Sequence, residues 1–201
     1  MPSTKRTVLV TGFGPFGCHK VNASWVAVQE LEKLGLGDDV DLVTQQLAVE
    51  YDTVTNSIPT MWQKHKPALV VTLRWYVGMS GIATELTLEQ QAHNDGYDKQ
   101  DINGTCPSTR CCVDGADNCI VSEIDMQYVC QEVNNAGIKV KAVVSHDAGR
   151  YLCDFSFFTS LHIDRCRAAF VHVPPLNTPY TASELAEGLR CALLSMLKQV
   201  S

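Results

Sequence analysis

The sequence has no long run of lysine or arginine and no apolar stretch of membrane-spanning length. Its 201 residues carry a formal net charge of −6, whereas proteins that bind nucleic acid or anionic membranes need a basic surface. A transmembrane helix needs about 20 consecutive, predominantly apolar residues, and no segment supplies them. We therefore expect neither a nucleic acid nor a membrane as partner, which leaves small molecules and peptides as substrates.

A signal-peptide core is also missing, because only a short apolar segment precedes the glycine turn at Gly12. The nine cysteines do not resemble a disulfide framework, since their number is odd and Cys130, Cys153 and Cys191 fall within helical patterns. These features favour a cytoplasmic protein with reduced thiols. Length and a hydrophobic fraction of 45% favour one domain, residues 1–201, and we expect a monomer.

Strand-like and helix-like segments alternate along most of the chain. Strands are predicted at residues 7–11, 40–47, 68–73, 139–144 and 168–173, and helices at 23–34, 52–64, 124–136, around Cys153 and at about 182–197. This alternation predicts an α/β fold with three layers, in which a twisted, mostly parallel sheet has helices on both faces. Active sites of such sheets lie at the carboxyl ends of the strands. Residues 78–119 break the regularity, and we interpret them as a long excursion over that edge.

The letters of a dinucleotide-binding turn, G-x-G-x-x-G, occur at Gly12, Gly14 and Gly17 directly after a strand. In that motif the third glycine opens a helix, whereas here four residues intervene before a helix capped by Asn22. Phe13 and Phe16 would also crowd a pyrophosphate. We favour a tight turn or an apolar pocket wall over nucleotide binding.

Four cysteines, Cys106, Cys111, Cys112 and Cys119, are close enough in sequence to suggest a zinc site. Their spacing lacks the paired C-x2-C of a zinc knuckle, and adjacent cysteines rarely both bind one ion. We interpret them as reduced loop cysteines and expect no metal.

The segment SHDAGRYLCD places Cys153 near the start of a helix that follows an apolar strand. Most free cysteines in such patterns pack in the core, but here Ala148, Leu152, Phe155 and Phe158 already form an apolar stripe. A thiol near a helix N-terminus has a lowered pKa and supplies a thiolate nucleophile.

His172 ends the following strand, in FVHVPP, and is the best candidate for the base that would act with Cys153. The alternative is a histidine satisfied by the backbone, and His146, in the turn before Cys153, is a rival. A third group usually fixes the imidazole tautomer. Glu89 is favoured by position, and Glu85 and Asp147 stay open.

Four separated motifs together resemble one family. TGFGPFG followed by VNASW, TLE after a glycine-rich turn, SHDAGRYLCD and FVHVPP are similar to the segments of pyroglutamyl-peptidase I, a cytosolic cysteine peptidase that removes N-terminal pyroglutamate. The resemblance extends from Val8 to Leu194 and is strongest to the vertebrate enzymes.

The resemblance implies that Cys153 is the nucleophile, His172 the general base and acid, and Glu89 the orienting carboxylate. It also implies that Phe13, Phe16, Tyr151 and Leu152 line the pocket for the flat lactam. Pyroglutamate has no charged α-amine, so an apolar pocket with a few hydrogen bonds suits it. The expected partners are peptides with N-terminal pyroglutamate, and no cofactor is implied.

The chain departs from the family near Leu73, Arg74, Trp75 and Tyr76, where it has about four extra residues on the approach to Glu89. Such an insertion either bulges outward at little cost or displaces Glu89 and the substrate loop. In the second case the protein would be a catalytically impaired relative that only binds peptides. His146 also replaces a residue that is usually glutamine in the family.

Overall fold

The computed structural model of the protein describes residues 5–15, 21–75 and 84–200. Eight strands and five helices lie within these ranges. The strands are β1 (Arg6–Phe13), β2 (Val40–Leu47), β3 (Leu69–Trp75), β4 (Leu86–Glu89), β5 (Gln91–His93), β6 (Cys119–Val121), β7 (Ala142–Ser145) and β8 (Ala168–Val173). The helices are α1 (Ala23–Leu34), α2 (Tyr51–His65), α3 (Met126–Asn135), α4 (Leu152–Ile163) and α5 (Ala182–Leu197).

Six strands form one sheet in the order β2-β1-β3-β8-β4-β7. The first four are mutually parallel, whereas β4 runs antiparallel to β8 and parallel to β7. The predicted mostly parallel α/β sheet is therefore confirmed. β4 and β7 run in the opposite direction, so their carboxyl ends lie at the other edge of the sheet.

Helices cover both faces of the sheet, because strands such as β3 and β8 are buried along almost their whole length. Side chains alternate between the two faces of a strand. Val71 and Val171 pack under α1, α3 and α5, whereas Val70 and Phe170 pack in a second apolar cluster with residues of α2 and α4. This is the predicted three-layer arrangement.

The segment 78–119 was predicted as a long excursion over the sheet edge that could contain a hairpin, and it differs from this in one strand. Its residues 86–89 form β4 inside the main sheet, where Leu86 and Leu88 are fully buried. Further along, β5 and β6 pair as a separate antiparallel ribbon that contacts α4. The Tyr97 ring lies 5.2 Å from that of Phe155, so this part of the segment covers α4.

Candidate active site

Four polar or aromatic side chains share the face of the sheet that α4 covers. Phe13 belongs to the apolar cluster of this face together with Val70 and Phe170. Because side chains alternate along a strand, Arg74 lies on the face of Val70, and His172 on that of Phe170. The side chains of Phe13, Arg74 and His172 therefore lie on the face of the sheet that is covered by the helix carrying Cys153.

His172 and Glu89 form a buried hydrogen bond of 2.9 Å between Nδ1 and Oε1. Their side chains are only 3% and 1% exposed. Glu89 is the register partner of Phe170, two residues before His172, so the two side chains are diagonal neighbours across the antiparallel β4–β8 pair. Since Nδ1 faces Glu89, Nε2 is the ring nitrogen directed to other partners.

Cys153 is the second residue of α4 and is half-buried. The N-cap residue of this helix is Tyr151, which makes no side-chain capping hydrogen bond. Burial raises the pKa of the Cys153 thiol, but the charge of Arg74 and the charge and hydrogen bond of His172 outweigh burial and lower it. The helix start and the two cations together favour the thiolate.

The pKa of His172 changes in the opposite direction. Burial lowers it, but the Cys153 thiolate and the Glu89 carboxylate outweigh burial and raise the pKa to about 9. Each member of the Cys153–His172 pair therefore stabilises the charge of the other. The geometry therefore favours a thiolate beside an imidazolium, the form in which a cysteine is nucleophilic.

Arg74 is a site residue that the sequence did not identify. It is 6% exposed, and its guanidinium carbon lies 4.9 Å from the ring centroid of Phe13 and 5.1 Å from that of Tyr151. These distances are typical of cation–π contacts. The one feature of the sequence that could have pointed to Arg74 is its position in the extra segment before Glu89.

The residues predicted to bind substrate lie in the same cluster, as far as the structure describes them. Phe13 and Leu152 are fully buried, and Tyr151 is half-buried and packs against the cluster. Phe16 lies outside the described residues. Phe13 and Tyr151 are brought together through Arg74, which contacts both rings.

The sequence model of the pyroglutamyl peptidase family matches residues 6–196. The chain belongs to the pyroglutamyl peptidase family. It is 53% identical over 197 residues to pyroglutamyl-peptidase 1 of Rattus norvegicus and of Homo sapiens, covering 98% of this chain and 92% of each relative. It is also 39% identical over 173 residues to a human pyroglutamyl-peptidase 1-like protein. The predicted resemblance, and the prediction of an enzyme of this type, are thereby confirmed.

Solved structures of family members have the same fold. Pyrrolidone carboxyl peptidase of Fervidobacterium islandicum has a TM-score of 0.85 and 25% sequence identity, with 98% of this chain and all of that chain covered (100%). Pyroglutamyl peptidase I of Bacillus amyloliquefaciens has a TM-score of 0.83 at 22% identity, covering 96% of this chain and 98% of that chain. None of the helices within the described ranges has the length and apolar character required to cross a membrane.

The rivals that the sequence left open occupy other positions in this pyroglutamyl peptidase fold. His146 is exposed, and Glu85 is only partly buried. Asp147 accepts a 2.6 Å hydrogen bond from Arg150 at the surface, so it is engaged away from the imidazole. Glu89 is the carboxylate that His172 contacts.

Of the extra segment expected from the sequence, Arg74 and Trp75 lie within the described residues. There β3 continues through both, which are the register partners of His172 and Val173. Tyr76 lies outside the described residues. The 2.9 Å bond between Glu89 and His172 is present beside the extended strand.

In the described part of the glycine loop, backbone N–H groups are engaged in hydrogen bonds within the protein. The N–H of Phe13 donates to Ser24 Oγ, and that of Gly14 donates to the Leu47 carbonyl. Asn22 caps α1 through Ser24 and donates to the Gly14 carbonyl. At Gly12 a Cβ would lie 3.1 Å from Val28 and 3.2 Å from the Ser24 carbonyl oxygen, which explains this glycine by close packing of β1 on α1. Gly17 lies outside the described residues.

The cysteine cluster does not form a metal centre in the described part of the chain, where no group of three or more metal-ligating side chains occurs. Cys106 and Cys119 are exposed. Cys112 packs on α4, with its sulfur 3.5 Å from the Phe155 carbonyl, and burial raises the pKa of its thiol to about 12. This thiol contributes packing and stays protonated.

Proposed function

We propose that this protein removes N-terminal pyroglutamate from peptides by covalent catalysis at Cys153. His172 acts as base and acid, and Glu89 orients the imidazole. The buried 2.9 Å bond between His172 and Glu89, beside a thiol of lowered pKa at the start of α4, carries this proposal. The relatives named pyroglutamyl-peptidase 1, 53% identical to this chain, supply the substrate class.

The first step is attack of the Cys153 thiolate on the carbonyl carbon of the pyroglutamyl residue. A carbon–sulfur bond forms, and the negative charge moves to the carbonyl oxygen. The N–H groups in the first turn of α4 are suited to hold this oxyanion, because the N-cap residue Tyr151 makes no side-chain bond there and the helix dipole favours negative charge.

The intermediate then collapses with the help of His172. Its Nε2 proton moves to the departing amine, the carbon–nitrogen bond breaks, and a thioester stays on Cys153. The neutral imidazole next takes a proton from water, and the resulting hydroxide attacks the thioester. Pyroglutamate leaves, the thiolate returns, and Glu89 holds the Nδ1–H tautomer throughout.

The proposed lactam pocket is formed by Phe13, Tyr151 and Leu152, to which Phe16 is added by the family resemblance. Pyroglutamate lacks the ammonium group of an ordinary N-terminus, so no carboxylate or metal is needed to recognise it. The flat ring can stack on aromatic side chains, and hydrogen bonds to its amide supply the specificity.

The test is release of fluorophore from a pyroglutamyl coumarin amide by the wild type, Cys153→Ala and the control Cys166→Ala. Cys166 is an exposed thiol that hydrogen-bonds Glu123, so its removal should leave turnover unchanged. We expect Cys153→Ala to lower kcat/KM at least ~10³-fold, because the nucleophile is lost.

Two outcomes would contradict the proposal. A folded wild type that binds pyroglutamyl peptides in calorimetry without turning them over is the peptide-binding relative considered from the sequence. Turnover that persists at the wild-type rate in Cys153→Ala assigns the chemistry to another group.

A further inference from the structure

Arg74 brings a positive charge into the site from the strand next to His172. It is the register partner of His172 in the parallel β3–β8 pair, so both side chains leave the sheet on the face that α4 covers. Its guanidinium contacts the rings of Phe13 and Tyr151, and Tyr151 is the N-cap of the helix in which Cys153 is the second residue.

The two rings suit a guanidinium better than an ammonium. Arg74 is buried to all but 6% of its surface, where a strongly hydrated lysine head would lose more solvation than a planar, delocalised guanidinium. Aromatic faces compensate part of that loss through cation–π contacts. The two rings therefore fix the position of the Arg74 guanidinium, although most residues of β3 are apolar.

The charged and titratable groups that act on Cys153 come from four elements. β8 provides His172, β4 provides Glu89, β3 provides Arg74, and Tyr151 precedes the thiol on α4. The charge of His172 is partly balanced by its bond to Glu89, so Arg74 is a further cation that acts on the thiol. The charge of Arg74 is the largest of the influences that lower the pKa of Cys153.

We propose that Arg74 is a positioning residue that, together with His172, keeps Cys153 as a thiolate. The extra segment that contains Arg74 then contributes a functional residue to the site and does not disrupt it. The inference deepens the proposed function, because it concerns the nucleophile of that reaction.

The experiment measures how fast Cys153 is alkylated by iodoacetamide between pH 5 and pH 10. Trypsin cleaves after Arg150 and Arg165, so the peptide 151–165 carries Cys153 as its one cysteine and reports this thiol by mass spectrometry. The variants are Arg74→Gln, which removes the charge, and Arg74→Lys, which keeps it. Arg74→Met, which keeps an apolar stem against the two rings, replaces Arg74→Gln if that variant does not fold.

We expect Arg74→Gln or Arg74→Met to move the midpoint of the alkylation profile upward by about one pH unit or more, because an opposite charge that acts on the thiol is lost. Arg74→Lys keeps the charge but holds it less well in the buried site, so its midpoint should fall between those of the wild type and the glutamine variant. A midpoint that is unchanged in the folded glutamine or methionine variant overturns the proposal. A lysine variant shifted as far as the glutamine variant also overturns it, because the effect would then depend on the contacts and not on the charge.

The outcome is independent of whether the protein hydrolyses pyroglutamyl peptides. Alkylation needs no substrate, so a failure of fluorophore release together with a shifted midpoint contradicts the proposed function and supports the role of Arg74. Normal turnover together with an unshifted midpoint supports the proposed function and contradicts the role of Arg74.

Discussion

Two residues of the candidate site, Cys153 and His172, have shifted pKa values. Cys153 has a lowered pKa, and His172 has a pKa raised to about 9. The two shifts favour the coexistence of thiolate and imidazolium, and activity should follow a bell-shaped pH profile. The acid limb belongs to formation of the thiolate and the alkaline limb to loss of the imidazolium proton.

Glu89→Gln should lower kcat about 10²–10⁴-fold and move the alkaline limb to lower pH. The carboxylate raises the pKa of His172, so a neutral amide lets the imidazolium deprotonate earlier and orients the ring less well. The measurement is the pH profile of kcat/KM, with Glu85→Gln as the control from the same segment. An alkaline limb at the wild-type position would show that Glu89 does not act on His172.

Asp154, next to the nucleophile, is a buried acid with a different task. Its Oδ2 lies 3.1 Å from the Tyr97 hydroxyl, which also donates to the His93 carbonyl. The His93 N–H and the Tyr97 hydroxyl donate to the carboxylate, and Arg150 lies 3.5 Å away, so all three favour its ionised form. Burial outweighs them and raises the pKa of Asp154 to about 7.

Asp154→Asn should change how stability depends on pH. Because the folded pKa is raised from 3.8, the stabilisation by the protonated acid is fully present below pH 4 and is lost as pH rises through 7. The wild type should therefore lose up to ~4 kcal/mol relative to Asp154→Asn between pH 4 and pH 8, read from urea unfolding. Asp38→Asn, at an exposed carboxylate in the loop before β2, is the control and should not show this trend. A constant difference between wild type and Asp154→Asn would contradict a neutral Asp154.

At the scale of elements, local signals identified most of the structure but not its pairing. The observed bounds of α1 and α5 are those predicted, because Asn22 and the capping box of Thr181 and Glu184 mark the helix starts. The four residues of β4 were missed, since so short a strand has no periodicity of its own. Its direction against β8 depends on contacts that no local pattern encodes.

Gly188 sets how closely α5 approaches the sheet. A Cβ at this position would lie 2.7 Å from Val140 Cγ1 and 3.2 Å from Leu86. Gly188→Ala should therefore destabilise the protein by about 1–2 kcal/mol, because overpacking exceeds the gain in helix propensity. Glu187→Ala, exposed on the same helix, should be nearly neutral in thermal unfolding. If Gly188→Ala were as stable as the wild type, α5 could shift away from the sheet at no cost, and Gly188 would not set this distance.

At the scale of the whole molecule, the site depends on residues far apart in sequence. Glu89 and His172 were favoured by position from the sequence, and the structure brings them into contact. Arg74 was not recognised, because its role depends on the register of β3 against β8, nearly 100 residues later, and on the strand continuing through the extra segment. Sequence patterns place a residue on an element, whereas tertiary pairing decides what it meets.

The two ends of the described chain are joined by Arg6. Its guanidinium donates to the carbonyls of Leu197, at 3.0 Å, and Val200, at 2.7 Å. Arg6→Gln should lower the free energy of unfolding by about 1–3 kcal/mol, because these carbonyls lose charge-assisted bonds. Lys5→Gln, at an exposed neighbouring position, should have no measurable effect. Equal melting temperatures for both variants would contradict this role of Arg6.

The central claim is that peptide cleavage proceeds through a pyroglutamyl thioester on Cys153. Rapid acid quenching during turnover, followed by mass spectrometry of the tryptic peptide 151–165, tests this most directly. The account predicts that this peptide gains the mass of one pyroglutamyl group, that alkaline hydroxylamine removes it, and that Cys153→Ala abolishes it. The sample is cooled to slow the attack of water on the thioester, and the substrate is saturating. Continued release of product by the wild type under these conditions, with peptide 151–165 unmodified, would contradict the account.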